Sequence, residues 1–293
     1  MLDFDKITDN YLKLINKELD ASYRSNELLS DKLISAIHYS LSNGGKRIRP
    51  ILMLEFCRIC GGDINDALFS ACALESIHTS SLIHDDMPCL DNDNLRRGMP
   101  SCHKVYGEDV ALLAGDALAL DAFSKIASTK NVEASRLLRV VSEISSASGF
   151  SGICGGQLLD LENEKISPDL ERLKFTYKLK TGRLISTACK CGAILGGADE
   201  DKINLAESYG YDLGLAFQIV DDILDVEGNE ELLGKPIGSD NEQKKSTFVT
   251  LYGLEKAKET ASELTNRALK TLSEFDENEY LIELTKNLLI RQN

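Results

Sequence analysis

Two aspartate clusters constrain this chain more than any other feature. The first reads Asp85-Asp86-Met87-Pro88-Cys89-Leu90-Asp91 and is followed by Asp93; the second reads Asp221-Asp222-Ile223-Leu224-Asp225. Both stand in apolar sequence with helical spacing, where a carboxylate is costly unless it is paired or bound to a metal. Asp221 and Asp225 are spaced i, i+4, which sets like charges side by side on a helix. A fold that brings both clusters to one cavity makes a cage of hard oxygen ligands. Such a cage suits Mg2+, which is usually held by a few carboxylates together with substrate phosphate.

The surrounding sequence predicts helices. Leu12, Ile15 and Leu19 form one apolar stripe; Leu33, Ile34, Ile37 and Leu41 form another. Residues 66 to 84 predict a buried helix running into the first cluster, ended or kinked by Pro88. Residues 108 to 127 are apolar nearly all round, Asp116 and Asp121 excepted, which predicts a central helix. Ser167-Pro168-Asp169 reads as a helix start, with Ser as N-cap, Pro first and an acid in the first turn. Residues 204 to 226 predict a long helix ending in the second cluster. There is no period-2 strand, tandem repeat or Pro/Gly/Ser-rich linker, and only five prolines occur. One all-α domain over residues 1–293 follows, a helical bundle with the acidic site in its interior. Residues 227 to 247 are polar and hold Gly228, Gly234, Gly238 and three lysines, which predicts a mobile loop able to serve as a lid.

Composition narrows the function. The chain has 293 residues, 43% hydrophobic, enough for a large core. No apolar run reaches about 18 residues, so no transmembrane helix is expected. The start, Met1-Leu2-Asp3-Phe4-Asp5, has neither the basic nor the apolar region of a signal peptide, and a cytoplasmic location is expected. The net charge of −14 argues against nucleic acid as partner. Basic residues still gather locally (Lys46, Arg47, Arg49; Arg96, Arg97; Lys178, Lys180, Arg183; Lys235; Lys244, Lys245), which points to a small anionic ligand. Solvated surface charge is the bland alternative for any one group, least so for Arg96-Arg97 beside the aspartates. The eight cysteines make no disulfide framework in a chain this long without a secretion signal. Cys57-x-x-Cys60 lacks the second pair a zinc site needs, and His78, His84 and His103 share no short ligand spacing. The cysteines read as small buried hydrophobes.

The motifs together resemble the trans-type isoprenyl diphosphate synthases, the polyprenyl synthetase family. The resemblance is carried by GGKRIRP at residues 44–50, Glu75 to His103 with LRRG inside it, GGQLLD at 155–160, KTGR at 180–183, FQIVDDILD at 217–225 and the stretch from Gly234 to Thr247. It implies an all-α bundle around a deep cavity, usually a homodimer, and an enzyme that condenses isopentenyl diphosphate with allylic diphosphates. It implies Mg2+ as cofactor, with Mn2+ able to take its place. By the same resemblance Asp85 and Asp91 are ligands from the first motif, and Asp221, with Asp222 and Asp225, from the second. Lys46, Arg49, His78 and Arg97 match contacts to isopentenyl diphosphate. Arg96, Lys180 and Lys235 match contacts to the allylic diphosphate. Thr181 and Gln218 match polar groups near the reacting carbons, and Lys245 lies near the closing loop. Asn94 and Met99 depart from frequent residues of the family without touching the ligand set. Ser80 and Ser81, just before Asp85, stand where bulk stops chain growth in relatives, and Ser80 replaces a frequent Tyr of farnesyl-forming bacterial members. Both are small, so a C20 product is expected over C15. A terpene cyclase would lack the second DDxxD and Lys46-Arg47-x-Arg49, and a noncatalytic subunit would lack one of the two aspartate motifs.

Overall fold

The computed structural model describes residues 3–23, 31–166, 168–227 and 246–289. The described chain is an all-α bundle. The amphipathic stripes become helices α1 (Phe4–Ser22), with Tyr11, Ile15 and Leu19 buried, and α2 (Asp31–Ser42), with Ala36, Ile37 and Leu41 buried. After α3 (Ile48–Ile59), Asp63 caps α4 (Ile64–Asp85) by accepting from the Asn65 N–H at 2.9 Å. Helix α4 is buried along most of its length and stops at Asp85, three residues before Pro88. A two-residue antiparallel ribbon then pairs β1 (Leu95–Arg96) with β2 (Met99–Pro100), a small extended element that alternation could not reveal. Helices α5 (Cys102–Tyr106), α6 (Glu108–Ala127), α7 (Ala134–Ser148) and α8 (Ile153–Asn163) follow.

The second half builds the other wall. Helix α9 (Leu170–Tyr177) is capped by Asp169, which accepts from the Arg172 N–H at 2.8 Å. The cap therefore falls on Asp169 rather than Ser167, which lies outside the described residues. A π turn, Lys178–Gly182, runs into α10 (Arg183–Gly196), and α11 (Glu200–Glu227) carries the second acidic cluster. Helices α12 (Phe248–Tyr252), α13 (Leu254–Leu272) and α14 (Glu279–Leu289) close the described chain. Helices α3, α4, α10 and α11 make the main contacts of the bundle, with α6 against α4 and α13 against α11.

Helix α6 corrects one expectation. It packs Ala111, Ala114, Gly115, Leu118, Ala122 and Ile126 inward, but Leu112, Leu113 and Leu120 are exposed. It is thus a wall helix with an apolar outer face, not a central one. Six of the eight cysteines are buried or half-buried and Cys89 and Cys154 are exposed, all as free thiols. Among the described residues, no helix is long and apolar enough to cross a membrane.

Candidate active site

The chain folds back at the end of α4. The Asp91 N–H donates to the Asp85 carbonyl at 2.9 Å, and Leu90 and Asn92 both donate to the Met87 carbonyl. This turn returns Asp91 to the level of Asp85. Burial pushes the Asp85 carboxyl up to about 6, reinforced by Asp91 and Asp86 and opposed by Lys180 and Arg96. A carboxylate so disfavoured among its neighbours is what a divalent cation relieves. Among the described residues, no three Asp, Glu, His or Cys side chains converge tightly enough to hold an ion by protein ligands alone. Mg2+ does not require that, since it keeps several waters and takes part of its shell from substrate phosphate. The hard oxygen donors fit that ion.

Arg96 lies beside the first cluster. Its Nε donates to both Asp86 carboxylate oxygens, at 3.0 and 3.2 Å, and its guanidinium also pairs with Asp86 through Nη2. Asp86 is buried, so in this state the pair is Arg96's fixed anchor. Arg97 points the other way, towards the Gly44 carbonyl. Gly45 makes room for it: a Cβ there would meet the Arg97 Nη1 at 2.6 Å, and the backbone φ of +117° also favours glycine.

A second, mainly basic group lies around Arg49 and His78. Burial lowers the Arg49 guanidinium to about 10, helped by Arg97 and opposed by Glu75. Burial also drives His78 well below its usual range, with Arg49, Arg97, Arg96 and Arg47 all acting in the same direction, so its imidazole is neutral. The Arg49 Nε and His78 Nδ1 are both buried without a hydrogen-bond partner among the described residues. Buried polar atoms left open in this way suit an anion. Arg47 is different: it is buried in an ion pair with Glu75 at 3.0 Å and donates to Asn16, which makes it structural. Lys46 is exposed.

The π turn lies between α8 and α11, the helix of the second acidic cluster. Lys180 Nζ lies 2.6 Å from Asp160 Oδ2 on α8. Burial works to lower the Lys180 ammonium, but Asp160, Asp85 and Asp91 offset it and the net direction is up. Gln157, one helical turn before Asp160, makes a long 3.5 Å contact to Asp91 Oδ1. On the other side Thr181 Oγ1 donates to Gln218 Oε1 of α11 at 3.0 Å. Asp221 is half-buried and Asp225 fully buried near the end of α11. Asp222 is buried too, and its Oδ2 accepts from the Tyr177 hydroxyl at 2.7 Å and from the Phe248 N–H at 2.9 Å.

Ser80 is buried and Ser81 half-buried, the latter donating to the His78 carbonyl at 2.8 Å. Lys235, Lys245 and most of the expected lid lie outside the described residues. Sequence reasoning passed over Asp86, Gln157, Asp160 and Tyr177. GGQLLD was visible as a motif, and its Gln157/Asp160 spacing of i, i+3 was the available signal for two of them; nothing local marked Tyr177. A groove of about 490 Å3 between α9, α11 and α13 is lined by Phe175, Tyr211, Leu215 and Arg267 among others, and by none of the expected site residues.

Comparison with known proteins shows the family and the fold. The family model for polyprenyl synthetase matches residues 30–285. Geranylgeranyl pyrophosphate synthase 3, chloroplastic, of Arabidopsis thaliana is 44% identical over 286 residues, covering 95% of this chain and 79% of the relative. Geranylgeranyl diphosphate synthase of Cyanophora paradoxa is 45% identical over 263 residues, covering 89% and 88%. Among solved structures, an FPP/GFPP synthase from Zymomonas mobilis superposes with a TM-score of 0.88 at 34% identity, covering 98% of this chain and 99% of that one. A geranyltransferase from Helicobacter pylori, complexed with magnesium and isoprenyl diphosphate, gives 0.85 at 32%, covering 99% and 97%. The expectation of a cytoplasmic protein does not stand against these findings, because the relatives from Arabidopsis thaliana and Catharanthus roseus are chloroplastic by name.

Proposed function

This chain belongs to the polyprenyl synthetase family, and on that premise we propose that it condenses isopentenyl diphosphate with dimethylallyl, geranyl and farnesyl diphosphates to all-trans geranylgeranyl diphosphate, C20, in preference to C15. It is a short-chain prenyltransferase. The observation that carries the finer reading is the pairing of two unlike anion sites. One is the carboxylate cluster at Asp85 and Asp91 with Lys180 beside it; the other is the pair of arginines Arg49 and Arg97 with the neutral imidazole of His78. Two diphosphates, one bound through metal and one through basic side chains and His78, would use that division.

Asp85 and Asp91 from the first cluster, and Asp221 and Asp225 from the second, would hold Mg2+. Bound there, the ions would neutralise the charge of the departing diphosphate. Lys180 and Arg96 would bind the same diphosphate and stabilise its charge as the carbon–oxygen bond breaks. Arg49, His78, Arg97 and Lys46 would hold isopentenyl diphosphate with its double bond towards the allylic carbon. The double bond attacks that carbon, and the new chain then loses a proton. By the family resemblance the departed diphosphate would accept that proton. Thr181 and Gln218 would present oxygen atoms near the reacting carbons, and the helical walls would exclude water. Ser80 and Ser81 are small where bulk would stop the growing tail, and relatives named as geranylgeranyl synthases support that length.

The exposed apolar face of α6, with Leu138 of α7 also exposed, supports a homodimer through these helices; light scattering of the purified chain at micromolar concentration checks it. The chloroplastic relatives support a plastid location, which organelle fractionation tests. The reaction itself is tested with radiolabelled isopentenyl diphosphate and each allylic starter, in Mg2+, Mn2+ or chelator, with chromatography of the dephosphorylated product. C20 product in metal alone is the expected result. A C15 endpoint overturns the length assignment, and no incorporation overturns the reaction.

A further inference from the structure

Asp222 is buried between three pieces of chain. Asp222 is 3% exposed, Tyr177 7% and Phe248 1%. Oδ2 accepts from the Tyr177 hydroxyl at 2.7 Å and from the Phe248 N–H, at the start of α12, at 2.9 Å. Both are charge-assisted bonds, about twice as strong as neutral ones. Burial first, and then the Asp222 charge, hold the Tyr177 phenol well above its usual value, so the hydroxyl stays a donor.

These bonds form a ladder with a second contact. Thr181 donates to Gln218 at 3.0 Å. Tyr177 and Thr181 are four residues apart on the α9–π turn run, and Gln218 and Asp222 are four apart on α11. Their order is reversed, 177 with 222 and 181 with 218, so two rungs join antiparallel runs one turn apart. Between the rungs lies Lys180. A π turn is rare and gathers at functional sites, and it is held here by specific side chains.

We infer that Asp222 is a positioning residue: through Tyr177 and Phe248 it fixes the turn bearing Lys180 and Thr181 against the helix bearing Asp221. Its work is therefore unlike that of its neighbour Asp221, and this differs from the ligand role that resemblance implies for it. The inference rests on the prenyl-synthase reading of the site. It makes a chemical distinction. An amide oxygen at position 222 still accepts from both donors, whereas a metal ligand loses its charge on the same change.

The test uses the full chain and the variants Tyr177→Phe, Asp222→Asn, Asp222→Ala and Asp221→Asn. The Mg2+ midpoint is read from calorimetric binding of an unreactive allylic thiodiphosphate, and kcat and KM from condensation. Asp222→Asn should keep the wild-type Mg2+ midpoint and restore kcat relative to Asp222→Ala. Tyr177→Phe should lower kcat by about 10-fold, through looser placement of Lys180 and Thr181, with KM for isopentenyl diphosphate and the Mg2+ midpoint unmoved. Asp221→Asn should raise the midpoint. The inference is overturned if Asp222→Asn moves the midpoint as far as Asp221→Asn does, or if Tyr177→Phe keeps wild-type kcat. Should Asp221→Asn itself leave the midpoint in place, the metal reading of the second cluster fails, while the rungs are still judged by Tyr177→Phe. If Asp222→Ala does not fold, the asparagine and phenylalanine variants decide.

Discussion

Replacing Gly156 with alanine adds one methyl group and should cut turnover about 100-fold. A Cβ at Gly156 would lie 2.4 Å from the Lys180 backbone nitrogen and 2.7 Å from its Cα. Both are main-chain atoms, so no rotamer change relieves the contact. Ordinary contact begins at 3.4 Å, so α8 and the π turn must part by 3.4 − 2.4 Å, about 1 Å. Overpacking of this kind costs about 1–3 kcal/mol, and a 1 Å misplacement of a catalytic group can cost about 10²-fold in rate. The displaced turn carries Lys180, 2.6 Å from Asp160, and Thr181, 3.0 Å from Gln218, so both contacts loosen together. Gly182, in the KTGR motif itself, is the internal control. A Cβ there meets nothing nearer than the Tyr177 carbonyl at 3.6 Å, and its φ of −63° is helical. Gly182→Ala should therefore be harmless or stabilise by about 0.5–1 kcal/mol. Steady-state kcat and KM, with thermal melting of both variants, make the comparison. Wild-type kcat and melting temperature in Gly156→Ala, or equal damage from Gly182→Ala, would refute the reasoning.

Arg49→Ala should raise KM for isopentenyl diphosphate by about 10- to 100-fold, the value of one charged hydrogen bond of about 1.5–3 kcal/mol; an unchanged KM would move that substrate elsewhere. Asp85→Ala or Asp221→Ala should each lower kcat by roughly 10² to 10³, and chelator should abolish turnover; full activity in either variant or in chelator contradicts the metal assignment. Ser80→Tyr should shift product towards C15 with little loss of catalysis, since it adds bulk where relatives stop chain growth and leaves the metal site untouched; a wild type that already stops at C15, with no change in the variant, places the floor at another level. His78 is neutral in the fold, with its pKa depressed. Below about pH 6.5 the unfolded chain binds a proton that the native state refuses, so stability falls as pH drops through that range. His78→Gln should flatten this acid limb in denaturant titrations, and an identical slope in both proteins would count against it.

Much of this protein is written in its local sequence. Stripes such as Tyr11/Ile15/Leu19 make helices because a period near 3.6 fits one apolar face, and burial of that face follows whatever the neighbour is. Carboxylates in apolar helices marked the candidate site because burying them unpaired is costly, wherever the chain folds. What packing alone decided is which of two adjacent groups faces which partner. Asp85 is exposed to its like-charged neighbours, whereas Asp86 is pinned to Arg96; Asp221 stays half-buried, whereas Asp222 is tied to Tyr177 and Phe248. Arg47 goes to Glu75, and Arg49 is left with an open Nε. A helix turns successive side chains by about 100°, so neighbours in sequence meet different elements, and the identity of those elements comes from contacts distant along the chain. The outer leucines of α6 were apolar on paper either way. Only the arrangement of α4 beneath them set Leu118 inside and left Leu112, Leu113 and Leu120 at the surface.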